Sequence, residues 1–173
     1  MAATEDTSAP GPSRLYAHLP LEEAAWRCQV GWMRPEDLPM AAAEALAAGL
    51  DGPTLVELAG MPCNADPRDI RDAFEQALPE VGIALPDHGQ AQRHALRALA
   101  VRFVAGETGL AELASDGWWQ TEVESAEERA FVALLPPCTC CLEYTLGLDE
   151  EEWRTRLRSA AFALASRPVV RPR

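Results

Sequence analysis

The sequence predicts an all-α fold, a single compact multi-helix bundle of six to eight short helices. Three observations carry that expectation. Apolar residues recur at helical spacing, as in Ile70, Ala73, Phe74, Ala77, Leu78 and Val81. Capping residues and first-turn prolines punctuate the chain at matching intervals, as in Asp66-Pro67 and in Ser125 with Glu128. No segment alternates convincingly with the period of a strand, and the best strand candidate, 141–146, is short and isolated.

The elements follow in chain order. Residues 1–14 carry Glu5, Asp6, Pro10 and Pro12 and lack an apolar stretch, so they read as a disordered leader and not as a signal peptide. Pro20 opens a first helix with Glu22 and Glu23 in its first turn, where the helix dipole favours acids, and the segment runs through Trp26 and Val30 to Gly31. A second helix starts near Pro35 and ends at Gly49, with Leu38, Ala42, Ala45 and Leu46 on one face. Pro53 opens a short third helix that Gly60 closes.

Asp66 caps the fourth helix, Pro67 occupies its first turn, and Gly82 stops it. Pro79 has no N–H to give to the helix, which predicts a kink or an early end there. Asp87 caps a longer helix to Gly106, with Leu96, Leu99, Ala100 and Phe103 facing inward. A weaker segment covers 110–114, and the Ser125–Glu128 box precedes a helix over 130–135 that Pro136-Pro137 ends. Asp149 caps the last helix, whose inward face is Trp153, Leu157, Ala160, Ala161 and Leu164. The helical domain therefore spans 15–166, followed by a frayed basic tail, 167–173.

Composition narrows the function classes. The chain has 173 residues and a formal net charge of −12, which repels a polyanion at long range and argues against a nucleic-acid partner. No stretch approaches the ~20 apolar residues of a membrane span, so no membrane partner is expected and the chain reads as cytoplasmic. All 15 basic side chains are arginine, which excludes a P-loop lysine or a Schiff-base lysine. Between Glu107 and Glu152 stand twelve acids and only Arg129, a balance of 1 − 12 = −11, whereas Trp153 to Arg173 holds six arginines and no acid.

The most unusual local feature is Cys138-Thr139-Cys140-Cys141, which follows two prolines. Thiolates are soft ligands, so Cys138, Cys140 and Cys141 are the candidate ligands for zinc or another soft metal such as Cu(I) or As(III). Zinc ordinarily takes a fourth ligand from a second cysteine pair, and Cys28 and Cys63 stand alone. Adjacent cysteines such as Cys140 and Cys141 are also expected to face apart. Three readings of the loop stay open: small packed side chains in a reducing cytosol, a soft-metal or vicinal-thiol site, and a redox disulfide.

Other constellations are weaker. His18, His88 and His94 form no metal motif. Arg93, His94 and Arg97 make a positive strip on the fifth helix, which can hold an anion or pair with nearby acids. The segments 55–59 and 67–78 imitate a helix-turn-helix, but Asp69, Asp72 and Glu75 sit where phosphate-binding cations belong. Trp118 and Trp119 cannot both point inward from a regular helix, so one of them is expected at the surface.

Gly31-Trp32-Met33-Arg34-Pro35-Glu36-Asp37-Leu38-Pro39, then Gly49-Leu50-Asp51, Pro53, Leu55 to Gly60, and Gly82-Ile83 together resemble a family of small uncharacterised actinobacterial helical proteins. The resemblance covers about residues 31–107. It implies a helical scaffold and brings no catalytic residue with it, and the cysteine loop lies outside it.

With no catalytic constellation in view, the leading expectation is a non-enzymatic acidic interaction module, immunity-like or regulatory, that binds another protein. Trp118, Trp119, Glu122, Glu124 and Glu127 are its candidate contact residues, since exposed aromatics are frequent anchors of protein interfaces. The alternative is a thiol-based soft-metal or redox-responsive protein using Cys138, Cys140 and Cys141. A third class is an enzyme whose site forms only in the fold, for which a cleft joining Arg93 or Arg97 to a buried Glu is the first sign.

Overall fold

Prolines and short polar caps decide where the helices of this chain begin, and apolar stripes decide which faces they bury. A computed structural model describes residues 19–167, apart from 63 and 142–144. The chain is all-α: among the described residues there are eight α-helices and three short 3₁₀ turns, and no strand. None of these helices is long and apolar enough to cross a membrane. They gather into two compact units that part between Asp87 and His88.

The first unit holds α1 (Leu19–Gln29), α2 (Leu38–Ala47), α3 (Pro53–Ala59) and α4 (Pro67–Glu80), with a 3₁₀ turn at Pro35–Asp37 leading into α2. Leu21, Leu38, Leu55, Leu58, Ile70, Phe74 and Leu78 are all sealed from solvent and form one core. The Asp66 carboxylate accepts from the Arg68 N–H at 2.8 Å, capping α4 as its sequence announces. Pro79 lies inside the last turn of α4, where losing one N–H bond costs little, and the helix ends one residue later, at Glu80. Gly82 then turns the chain at φ 75°, and Ile83 N–H donates back to Leu78 at 2.9 Å while its side chain is buried.

The start of α3 is built differently. Its N-cap residue is Gly52, which has no side chain to offer. The Glu80 carboxylate, 26 residues away, replaces it by accepting from the Thr54 N–H at 3.1 Å and from the Thr54 hydroxyl. A Cβ on Gly52 would stand 3.0 Å from Glu80 Oε2, so the glycine keeps room for that carboxylate.

The second unit holds α5 (His88–Val104), α6 (Leu110–Leu113), α7 (Ala126–Val132) and α8 (Glu150–Ala165), with 3₁₀ turns at Asp116–Gln120 and Thr139–Cys141. Its core is Leu96, Leu99, Ala100, Leu113, Phe131, Leu135, Trp153, Leu157, Ala161 and Leu164. Here α5 packs along α8, and α7 closes against both. Ser125 and Glu128 make the expected capping box: Ser125 Oγ accepts from Glu128 N–H at 3.1 Å, and Glu128 Oε2 accepts from Ser125 N–H at 2.9 Å. This box starts α7 at Ala126, four residues before the helix start expected at 130.

Candidate functional site

The cysteine loop joins α7 to α8, its entrance held by burial and its exit by hydrogen bonds. Leu135 and Pro136 are buried at its entrance, where the Pro136 carbonyl accepts from Ser115 N–H at 3.3 Å. The indole of Trp153, on the first turn of α8, donates to the Leu134 carbonyl at 3.2 Å. At the exit, the Thr145 hydroxyl donates to Leu148 O at 2.6 Å, and Asp149 caps α8 by accepting from Glu151 N–H at 3.0 Å. Two successive prolines fix two φ angles on the way in, so the turn that follows leaves the core in a set direction.

That turn is a single 3₁₀ unit, closed by Cys141 N–H donating to the Cys138 carbonyl at 3.1 Å. In a 3₁₀ turn residues i and i+3 eclipse one another, which brings the Cys138 and Cys141 sulfurs to 3.0 Å. Cys140 is joined to Cys138 as a disulfide, with Cα atoms 5.4 Å apart, and its Sγ lies 3.8 Å from that of Cys141. All three sulfurs fall within 4.8 Å of one another. The expectation that adjacent Cys140 and Cys141 face apart is therefore overturned, because the turn folds their side chains to the same side.

Exposure differs within the cluster: Cys138 and Cys141 are half-buried and Cys140 is exposed. Oxidised, the cluster holds one disulfide and one thiol at Cys141. Reduced, it offers three sulfur donors from four consecutive residues. Cys28 stands apart in the first unit, half-buried beside Arg71, and burial pushes its thiol upward despite the nearby guanidinium. Cys63 lies outside the described residues.

The residues expected to contact a partner divide by depth. Trp118 packs against the second core, while Trp119, on the same 3₁₀ turn, is 56 % exposed, so one tryptophan of the pair does reach the surface. Glu122 and Glu124 are exposed and Glu127 is half-buried. Two of these acids have internal partners: Glu124 pairs with Arg93 at 2.9 Å and Glu127 with Arg167 at 3.7 Å. Glu128 is likewise engaged. Burial alone would raise its pKa, but N–H donors from Ser125 and Glu124 and the charge of Arg93 hold it below the usual carboxylate range.

The positive strip on α5 is spent inside the second unit. The Arg93 side chain is only 16 % exposed and also donates to the Glu122 carbonyl at 3.4 Å. Arg97 donates to the carbonyls of Ala165, at 3.4 Å, and of Arg167, satisfying groups that the end of α8 leaves open. Two cavities accompany these features. One, of about 300 Å³, is lined by Cys28, Arg71, Phe74, Glu75 and Leu85; the other, of about 310 Å³, by Phe103, Leu110, Glu151, Arg154, Thr155 and Arg158. Neither is visible in the sequence, since each assembles residues from separate helices and loops.

No family model, curated protein or solved structure matches the chain.

Proposed function

We propose that this is a thiol-based, redox-responsive protein in which Cys138, Cys140 and Cys141 change their bonding with the thiol–disulfide poise of a reducing cytoplasm. The observation that carries the reading is the convergence of three sulfurs within 4.8 Å on one turn. Disulfides in reducing compartments are usually transient or sensing, and exposed ones are the labile class. Cys140 is exposed, so a low-molecular-weight thiol has access to the pair. In the reductive step its thiolate attacks Cys140 Sγ, the Cys138–Cys140 bond breaks, and the Cys138 thiolate leaves and takes a proton. A second thiol resolves the mixed disulfide, leaving two cysteine thiols and one small-molecule disulfide.

The test is differential alkylation with mass spectrometry across a series of thiol–disulfide buffers. Expected is a reversible two-electron transition at Cys138 and Cys140 that Cys140→Ser abolishes. A pair that stays wholly reduced or wholly oxidised across the series overturns the reading.

A second reading rests on Trp119, which is 56 % exposed and shortly precedes the exposed acids Glu122 and Glu124 in the chain. An exposed aromatic in an acidic stretch of chain suits a basic protein surface. Capture of a stoichiometric protein partner that Trp119→Ala and charge reversal at Glu122 both release supports it; no such partner at moderate salt removes it. The resemblance over 31–107 stays with the scaffold and bears on neither reading. Arg93 and Arg97, the arginines an enzyme site would draw on, bind an exposed carboxylate and helix-end carbonyls.

A further inference from the structure

We infer that the reduced loop is a three-sulfur site for a trivalent, pyramidal thiophilic ion of the arsenite class. This rests on the redox reading in one respect: Cys138 and Cys140 must be thiols before they bind. Three features of the turn argue for it. Its donors come from residues 138, 140 and 141, so one short segment supplies the whole set without rearranging the helices. The sulfurs of Cys140 and Cys141 are 3.8 Å apart, close enough for one ion to bind both through metal–sulfur bonds of about 2.3 Å. Cys140 is exposed while Cys138 and Cys141 are half-buried, so an ion can reach the cluster from solvent.

The number of donors distinguishes the soft ions. Zinc closes its shell with four ligands spread around it, and a structural zinc site encloses the metal. Among the described residues the cluster ends at three donors. Trivalent arsenic is complete with three thiolates, because a lone pair fills its fourth direction. The reaction is a ligand exchange without change of oxidation state. Three S–H bonds and three As–OH bonds break, three As–S bonds form, and three waters leave.

The experiment uses the full chain, reduced with a dithiol that is then removed, and sodium arsenite as the probe. The free thiols are counted by alkylation before the probe is added. Bound arsenic is measured after gel filtration, and the sulfur-to-arsenic absorption is followed in the ultraviolet. Expected is one arsenic per reduced chain, none on the oxidised chain, and at least a tenfold loss of affinity in each of Cys138→Ser, Cys140→Ser and Cys141→Ser. Cys28→Ser serves as control and binds as the parent does, and circular dichroism verifies that every variant keeps its helices.

Binding undiminished in all three loop variants overturns the inference, as does displacement of the arsenic by an equal concentration of zinc. The two proposals fail separately. A loop that cycles between thiol and disulfide yet takes up no arsenite removes the ion site alone. A loop that binds arsenite but never forms a disulfide supports the ion site and removes the redox reading.

Discussion

The indole Nε1 of Trp153 donates to the Leu134 carbonyl at 3.2 Å from a residue that is 1 % exposed. This bond ties the first turn of α8 to the residue just ahead of Leu135 and the two prolines, and so fixes where the cysteine loop begins. Trp153→Phe keeps an aromatic ring in the core and leaves that carbonyl without its donor. The expected cost is about 1–3 kcal/mol. Each kcal/mol lowers the melting temperature of a chain this long by about 2–4 °C. Thermal melting checks it: a variant that melts with the parent shows that the bond contributes nothing. As a comparison, Phe162→Ser on the exposed face of α8 stays within about 0.5 kcal/mol.

The Ser125–Glu128 box yields a pH dependence. Glu128 has a folded pKa below its ordinary value, so the unfolded chain holds that proton more tightly than the folded one. Its contribution is therefore complete above the ordinary carboxylate range and is lost as the pH falls through the lowered value. Ser125→Ala costs about 1 kcal/mol at neutral pH. Glu128→Gln makes the decline in stability from about pH 5 to pH 3 shallower. Urea midpoints at the two pH values measure both; an unchanged decline in Glu128→Gln contradicts the assignment.

Glu80 does for α3 what an N-cap side chain does for other helices. Removing it in Glu80→Ala leaves the Thr54 N–H unpaired, with an expected loss of about 1 kcal/mol. Gly52→Ala displaces the same carboxylate, since the new Cβ would meet Glu80 Oε2 at 3.0 Å. A double-mutant cycle checks the coupling: the two losses combined come to less than their sum, because both remove one interaction. Full additivity would show that Gly52 matters for another reason.

Arg97 holds the end of α8 from a neighbouring helix. Arg97→Met retains most of the apolar stem and removes the donors to Ala165 and Arg167. Stability falls by roughly 0.5–1.5 kcal/mol. Amide exchange accelerates in the last turn of α8 more than at its middle. Uniform acceleration along the helix would place the effect elsewhere.

Helix starts were readable because their signals are local. Asp66-Pro67, Ser125 with Glu128, and Asp149 each cap a helix within three residues, and the structure uses all three. Pro79 acts where its signal is weakest, since a proline in a last turn removes one bond from a helix that is ending anyway. Long-range caps left no such mark: neither Glu80 at α3 nor Arg97 at α8 is distinguishable in sequence from any exposed charge. The division at Asp87-His88 was equally silent, because the segment between Gly82 and Asp87 has the length of an ordinary connection between helices. The cysteines were visible as a cluster, but their convergence depends on a 3₁₀ turn that adjacent residues do not advertise.

The disulfide of the loop closes over a single intervening residue, Thr139. A cross-link restrains the unfolded chain in proportion to the logarithm of the segment it encloses, and here that segment is close to the shortest a chain can form. By that relation breaking the bond returns roughly 1.6 kcal/mol of freedom to the unfolded state, against about 4.7 kcal/mol for a loop of 100 residues. Oxidation and reduction of the loop are therefore expected to shift the folding balance less than a long-range cross-link would. Under the redox reading proposed above, such a bond would serve as a local sensor, with far less effect on folding than a cross-link between distant helices.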